Sequence, residues 1–219
     1  MRFQQKGFTL IELLVVIAIM AIMALIALPN MSQWLAARRV AGQAEQVANL
    51  LRFARAEAVR LNAPVYVCPV SIRVDGTANV YCDPANGQQG MAAFADVDRN
   101  GSYTRNTDTP LRTVILNSSG SNAVAYTFEN LDFSGASKGS NQIWAFLPNG
   151  SFGHTQAQGG TLSMGDGFVK IAMTDARAAD DDARVNRASV VLVDSSGRAS
   201  VCAKKDERKI CQFKASSGN

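Results

Sequence analysis

The sequence predicts an α+β fold in which one long amino-terminal helix packs on an antiparallel β-sheet or a pair of sheets. Three observations predict it. An apolar run extends from Phe8 to Leu28. After Pro29 an amphipathic helical pattern carries on to Leu61. From Pro64 onward, short β-branched or aromatic runs alternate with Gly, Asn, Asp and Ser.

The apolar run is 21 residues long, without Lys, Arg, Asp, Asn or Gln, and Glu12 is its one charged residue. At about 1.5 Å per residue, a helix of this length crosses a bilayer core of roughly 30 Å. The seven residues before it carry Arg2 and Lys6 and no acid. An ordinary secretory signal places its apolar core between such a basic head and a small-residue cleavage site. Here the small residue, Gly7, comes before the core. A cut after Gly7 would leave the helix attached, with a new amino terminus at Phe8. The short basic leader is expected to stay cytoplasmic, which turns the bulk of the chain toward the periplasm. A carboxylate inside such a helix costs roughly 2.5 to 3.5 kcal/mol when central and less near an end, so Glu12 reads as functional.

Beyond Pro29 the apolar positions Met31, Trp34, Leu35, Val40, Val47, Leu50, Leu51, Ala54, Ala58 and Leu61 recur mostly at steps of three and four. Arg38, Gln43, Glu45, Arg52 and Arg60 fall largely on the other side. Pro29 removes a backbone donor and disfavours the helical conformation of Leu28, so a kink or a locally melted turn is expected there. Asn62-Ala63-Pro64 ends the helix. Strands are expected at 65–70, 91–95, 111–116, 124–129, 142–147, 168–173, 188–193 and 199–202. Asp75-Gly76 predicts a hairpin turn between Ser71 and Tyr81. The segments 117–122, 134–141 and 156–167 read as polar loops.

The chain has 219 residues and a formal net charge of +4. Subtracting leader and anchor leaves about 190 residues, enough for one domain with a sizeable core. The basic excess sits at the two ends of that domain. In the last stretch Arg198, Lys204, Lys205, Arg208, Lys209 and Lys214 face only Asp206 and Glu207. The four cysteines are even in number and grouped by proximity as Cys68 with Cys82 and Cys202 with Cys211, which fits disulfides in an oxidising compartment.

Catalytic signals are sparse, and no enzyme activity is expected. The one histidine, His154, lies in a Ser, Gly and Gln context without an evident partner and reads as a solvated loop residue. Asp96-Val97-Asp98-Arg99-Asn100-Gly101 has the opening spacing of a calcium loop, but Thr107 stands at the twelfth position where a bidentate acid belongs. A turn held by Asx side chains is therefore preferred over a calcium ion on Asp96, Asp98 and Asn100, and no cofactor is expected. Asp180-Asp181-Asp182 reads as a solvated loop.

The run Lys6-Gly7-Phe8-Thr9-Leu10-Ile11-Glu12 closely resembles the prepilin signature of type IV pilins and type II secretion pseudopilins. Further likeness runs through Ala27-Leu28-Pro29-Asn30, the region 44–62 and the pattern from Val190 to Arg198, and is similar to the FimT and GspH branch of minor pilins. The resemblance implies the pilin fold, with a leader over 1–7, a membrane and filament-core segment over 8–29, and a periplasmic domain over 30–219. It implies cleavage by a prepilin peptidase between Gly7 and Phe8, N-methylation of Phe8, and a role for Glu12 and Pro29 in filament assembly, with Glu12 pairing with the amine of a neighbouring subunit. Partners are then other pilins and the inner membrane. Some FimT-like pilins bind DNA through a carboxy-terminal Gly-Arg-any-Arg motif. Here Gly197-Arg198-Ala199 is followed by Ser200, so Lys204 or Lys205 would have to replace the second arginine. The expectation is a minor pilin that starts or caps a pilus and binds double-stranded DNA through the basic segment. The alternative is a minor pseudopilin of a type II secretion system that binds protein partners or cargo.

Overall fold

The structure, a computed structural model, describes residues 8–116 and 123–214, with the backbone alone over 25–30. Helix α1 (Leu10–Leu61) has 52 residues. Its two halves differ in what they touch. The described side chains from Phe8 to Ala24 are all exposed, whereas from Ala36 onward one face is buried. Val40, Ala44, Val47, Leu50, Leu51, Ala54 and Ala58 form that face at three- and four-residue steps. The alanines among them let strands approach the helix axis closely. The helix stops where Asn62 takes the left-handed conformation at φ 51° and returns its N–H to Val59 O. α1 is unbroken across Pro29, where a kink or melted turn is expected from sequence. The continuous helix rules out the melted turn, because the missing Pro29 N–H removes a single bond from a long ladder.

The strands form two antiparallel sheets. The first comprises β1 (Val65–Ile72), β2 (Ala78–Tyr81), β3 (Gly90–Ala95), β4 (Thr109–Ile115), β7 (Ile143–Phe146), β8 (Phe152–Thr155) and β9 (Ser163–Met164), in the order β4-β3-β1-β7-β8-β9 with β2 on β1. The second comprises β5 (Val124–Leu131), β6 (Ser137–Gly139), β10 (Phe168–Asp175), β11 (Ser189–Asp194) and β12 (Ala199–Val201), in the order β12-β11-β10-β5-β6. Alternation along the strands then makes three apolar clusters. Val65, Val67, Met91, Trp144 and Phe146 of the first sheet meet Ile171, Met173, Val191 and Val193 of the second, together with α1. The outward residues Tyr66, Cys68, Phe94 and Ile143 form a second cluster on the far face of the first sheet. Ala172, Val190, Leu192 and Cys211 form a third on the far face of the second sheet. Each outer cluster carries a disulfide, Cys68–Cys82 and Cys202–Cys211, with Cα separations of 4.8 and 5.7 Å.

All eight strands expected from sequence are present, with ends moved by one or two residues. The β1–β2 hairpin turns at Gly76, φ 81°, with Arg73 N–H on Thr77 O. The loop 117–122 lies outside the described residues. Two expected loops contain the short strands β6 and β9. Asp180-Asp181-Asp182 is not a loop but the start of helix α2 (Asp181–Arg187). Asp180 Oδ1 accepts the Ala183 N–H at 2.7 Å, and Asp181 and Asp182 sit in the first turn, where the helix dipole favours acids.

Candidate functional site

Gly7, and with it the expected cleavage bond, lies outside the described residues. Phe8 is exposed, and the chain enters α1 through Thr9. Thr9 Oγ1 accepts the Glu12 N–H at 3.3 Å, while Glu12 Oε2 accepts the Thr9 N–H at 2.9 Å and its hydroxyl at 2.8 Å. Glu12 therefore closes a capping box, satisfying a helix-start donor that lipid would leave unpaired. Among the described residues no helix is long and apolar enough to cross a membrane, the described side chains of the run ending at Ala24. The sequence itself stays apolar to Leu28.

At the other end of the chain, the turn between β11 and β12 presents Arg198. Asp194 Oδ1 accepts the N–H groups of Ser196 and Arg198 at 2.9 and 3.0 Å and the Ser196 hydroxyl at 2.6 Å. Gly197 supplies φ 76°. On α1, Arg52 Nε donates to Ala199 O at 3.1 Å and ties β12 to the helix. Arg52, Arg55 and Arg198 thus line one cleft of about 400 Å3. Neither Arg52, which the sequence places only on the polar face of α1, nor Arg55 belongs to the basic segment expected to bind DNA. Their signal is the i, i+3 spacing on the polar face of α1.

The Cys202–Cys211 loop lies over the outer cluster of the second sheet, where Ile210 and Phe213 pack. Its cations are exposed but not equally available. Lys204 Nζ donates to Asn186 O at the end of α2. Arg208 donates to both Asp206 oxygens, at 2.9 Å from Nε and 2.6 Å from Nη2, and these bonds hold the Asp206 carboxyl below the usual carboxylate range. Lys205 and Lys209 make no side-chain hydrogen bond with any described residue. Lys214 stands near the buried Lys170 and Glu129. The structure brings four of the six candidates into one loop and sets Arg198 beside α1 instead.

The calcium-like loop is built by acceptors facing the backbone. Asp96 takes the N–H groups of Asn100 and Gly101 at 3.2 and 2.9 Å. Asp108 takes those of Val97 and Thr104 at 2.8 and 2.6 Å. Asn100 Oδ1 takes the Ser102 N–H at 2.7 Å. Carboxylate oxygens of Asp96, Asp98 and Asp108 lie within 4.8 Å of one another and could share a cation. The third carboxylate is Asp108, one residue past the position the sequence pattern tests. Burial pushes the Asp96 carboxyl above the usual range, the Gly101 N–H opposing it and the nearby carboxylates adding to it. Cys202, Asp206 and Cys211 also lie together, but their sulfurs are consumed by the disulfide.

His154 is not a solvated loop residue. It lies on β8, 7% exposed. Its Nδ1 faces the amide nitrogens of Asn141 at 2.9 Å and Asn130 at 3.5 Å, and its Nε2 faces Asp166 Oδ1 at 3.1 Å. Amide nitrogens donate, so Nδ1 accepts and Nε2 carries the proton given to Asp166. Pairing of β8 with β7 buries the ring, and its partners come from sequence positions 12 to 24 residues away.

A family model described as "Type II transport protein GspH" matches residues 43–197. The chain belongs to the GspH family. A model of the prokaryotic N-terminal methylation motif matches residues 2–28 of this GspH-family chain, a span that contains Gly7, Phe8 and Glu12. The two matches make it a type IV minor pilin or pseudopilin, with inner-membrane anchoring implied by the prepilin-like amino terminus. Two crystal forms of the type IV minor pilin FimU of Pseudomonas aeruginosa PAO1 are similar in structure. One is 13% identical and covers 77% of this chain and 92% of its own, with a TM-score of 0.44. The other is 14% identical and covers 75% and 94%, also with a TM-score of 0.44. No curated protein matches the chain.

Proposed function

We propose that this chain is a non-enzymatic minor pilin that helps to start or cap a type IV pilus and binds double-stranded DNA through its basic carboxy-terminal segment. In this reading a prepilin peptidase cuts after Gly7 and Phe8 is N-methylated. The mature chain spans the inner membrane once, with its domain in the periplasm, until it joins other pilins. The observation that carries the proposal is the continuity of the methylation motif with the 52-residue helix α1, whose amino-terminal part exposes apolar side chains all round while its second half anchors a β domain.

The DNA part rests on the exposed cations of the Cys202–Cys211 loop, which the disulfide makes rigid enough to limit the entropy lost on binding phosphates. Two to four neutralised phosphates correspond to a slope of log affinity against log salt of about −2 to −4, with little sequence preference. A gel-shift titration of the full chain in detergent tests it, beside a variant with Lys204, Lys205, Arg208 and Lys209 changed to Gln. Equal binding by the two, or none by either at low salt, would remove DNA and leave a structural pilin.

The description of the matched family favours a second reading, a minor pseudopilin of a type II secretion system. Deletion of the gene separates the two. Loss of surface pili with normal secretion supports the first, and loss of secretion with normal pili the second.

A further inference from the structure

The far face of the first sheet, opposite α1, carries an organised groove. Its floor is aromatic. Tyr81 and Tyr103 stack with ring centroids 3.8 Å apart and planes 19° apart, and both stand edge-on to Phe94 at 5.8 and 5.2 Å. The Cys68–Cys82 disulfide fixes the end of β2 that bears Tyr81. The calcium-like loop brings in Tyr103, since Asp96 and Asp108 hold its backbone on both sides. Gln158 then locks the two tyrosines together, accepting the Tyr103 N–H at 3.1 Å and donating to Tyr81 O at 3.1 Å.

The groove beside this pair measures about 380 Å3 and is lined by Thr77, Asn79, Tyr81, Tyr103, Arg105 and Thr113 among others. This lies in the range of small-ligand sites, roughly 300 to 1,000 Å3. No carboxylate of a described residue lines it; Asp75 stands behind Thr77 and accepts its hydroxyl at 2.7 Å, which leaves the Thr77 oxygen as an acceptor. Arg105 is exposed and makes no hydrogen bond or ion pair with any described residue. Asn79 Oδ1 accepts from Arg73 Nη2 at 2.7 Å, and the Asn79 amide nitrogen has no partner among the described residues.

An aromatic wall, two hydroxyls, a spare amide donor and one unpaired guanidinium suit a sugar ring that carries one carboxylate. The apolar face of a pyranose packs on tyrosine, its hydroxyls reach Thr77, Asn79 and Thr113, and the guanidinium fork holds a carboxylate by two parallel bonds. A nucleic-acid strand would require a track of cations along the groove, and among the described residues only Arg105 lines it, with Arg73 held on Asn79 at its edge. We propose that the groove binds a hexuronic acid unit of an acidic saccharide. Its place opposite α1 leaves it open when the helix packs against neighbours.

Saturation-transfer NMR on the full chain in detergent micelles tests this, with glucuronate, glucose and an oligothymidylate as probes. Glucuronate should receive saturation on its ring protons and glucose less. Arg105→Gln should weaken glucuronate binding about tenfold or more. Its side chain is exposed and unpaired, so the thermal midpoint should not move. Arg105→Lys keeps the charge without the fork and should fall between. Absence of glucuronate binding, or equal binding by the Gln variant, overturns the proposal. Oligothymidylate binding that Arg105→Gln abolishes would also overturn it, by giving the groove to nucleic acid.

Discussion

Replacing His154 by Ala tests whether this imidazole is a joint between the two sheets. It sits on β8 of the first sheet, next to Trp144 on β7, and reaches Asn130 on β5 of the second. The Asn141 contact at 2.9 Å is an ordinary hydrogen bond, worth about 1 kcal/mol net. The Asn130 contact is longer, but Asn130 is 2% exposed and its Oδ1 has no partner among the described residues. Losing the imidazole leaves the whole amide desolvated, at about 1 to 3 kcal/mol. The expected loss is then about 3 kcal/mol, and more if the space left by the ring stays empty. For a domain of this size each kcal/mol moves the midpoint by about 2 to 4 °C, so a fall of about 6 to 12 °C is expected. Near-UV circular dichroism of the full chain in detergent is the suitable readout, because Trp144 is fully buried and donates its Nε1–H to Asn141 O at 3.1 Å. A fall below about 2 °C would refute the argument and return His154 to a solvated role. Asn130→Leu adds a check, since strict additivity of the two substitutions would mean that the residues do not act together.

Four further outcomes are expected. Gly7→Val should leave a full-length precursor on a gel, and normal processing would count against peptidase recognition of the leader. Glu12→Gln and Glu12→Ala should both reduce recovery in sheared filaments; full recovery of the Gln variant alone would mean that the cap on Thr9, and not the charge, is what assembly needs. Burial holds the Lys170 amine below the usual lysine value, with Glu129 opposing and Lys214 reinforcing. The unfolded amine therefore binds its proton more tightly, and this group's contribution to stability rises as pH climbs from the folded value to the unfolded one. Lys170→Met should raise the midpoint at neutral pH and abolish that alkaline gain, and an unchanged pH profile would contradict the assigned cause. Changing Cys202 and Cys211 to Ser should cost about 2 to 3 kcal/mol in thermal unfolding, from loop closure and the loosened cover over Leu192.

What the sequence conveyed follows from how local each signal is. Helix α1 was legible because Val40 to Ala58 repeat at three and four residues, and the long strands because β-branched residues cluster in them. Strand β8 was not, since Phe152-Gly153-His154-Thr155 has little intrinsic strand preference and is buried by pairing with β7. The role of His154 was hidden for the same reason, as all its partners are distant in sequence. Helix α2 was readable in principle, with an Asp cap, acids in the first turn and Arg184 and Arg187 in the last, but seven residues give no periodicity to notice. The Thr9-x-x-Glu12 capping box was equally open to reading, and the acid drew attention only as a charge in an apolar helix. In the loop from Asp96, alternating oxygens suit a cation or backbone N–H groups alike. Sequence could favour the turn but could not display the donors that the fold turns toward Asp96 and Asp108.

The order of surfaces along α1 bears on how the molecule stands in its membrane. Leu10 to Met23 expose apolar side chains around the whole helix, which water cannot solvate without cost and which a bilayer or neighbouring helices would cover. Past the apolar run come Met31, Trp34 and Leu35, still largely exposed, with the Arg38 guanidinium 5.1 Å from the Trp34 ring centroid. An indole with a cation on its face has one apolar and one wet side, the combination found where lipid meets water. Ala36 begins the buried stripe, and from Val40 onward the helix belongs to the β domain. Apolar on all sides, then aromatic and cationic, then buried on one face, the helix has the gradation of a chain that passes from lipid to water. That gradation supports the membrane anchoring proposed for the amino-terminal half of α1. It also sets the aromatic groove, on the far side of the first sheet, away from the surface that α1 would offer to other subunits.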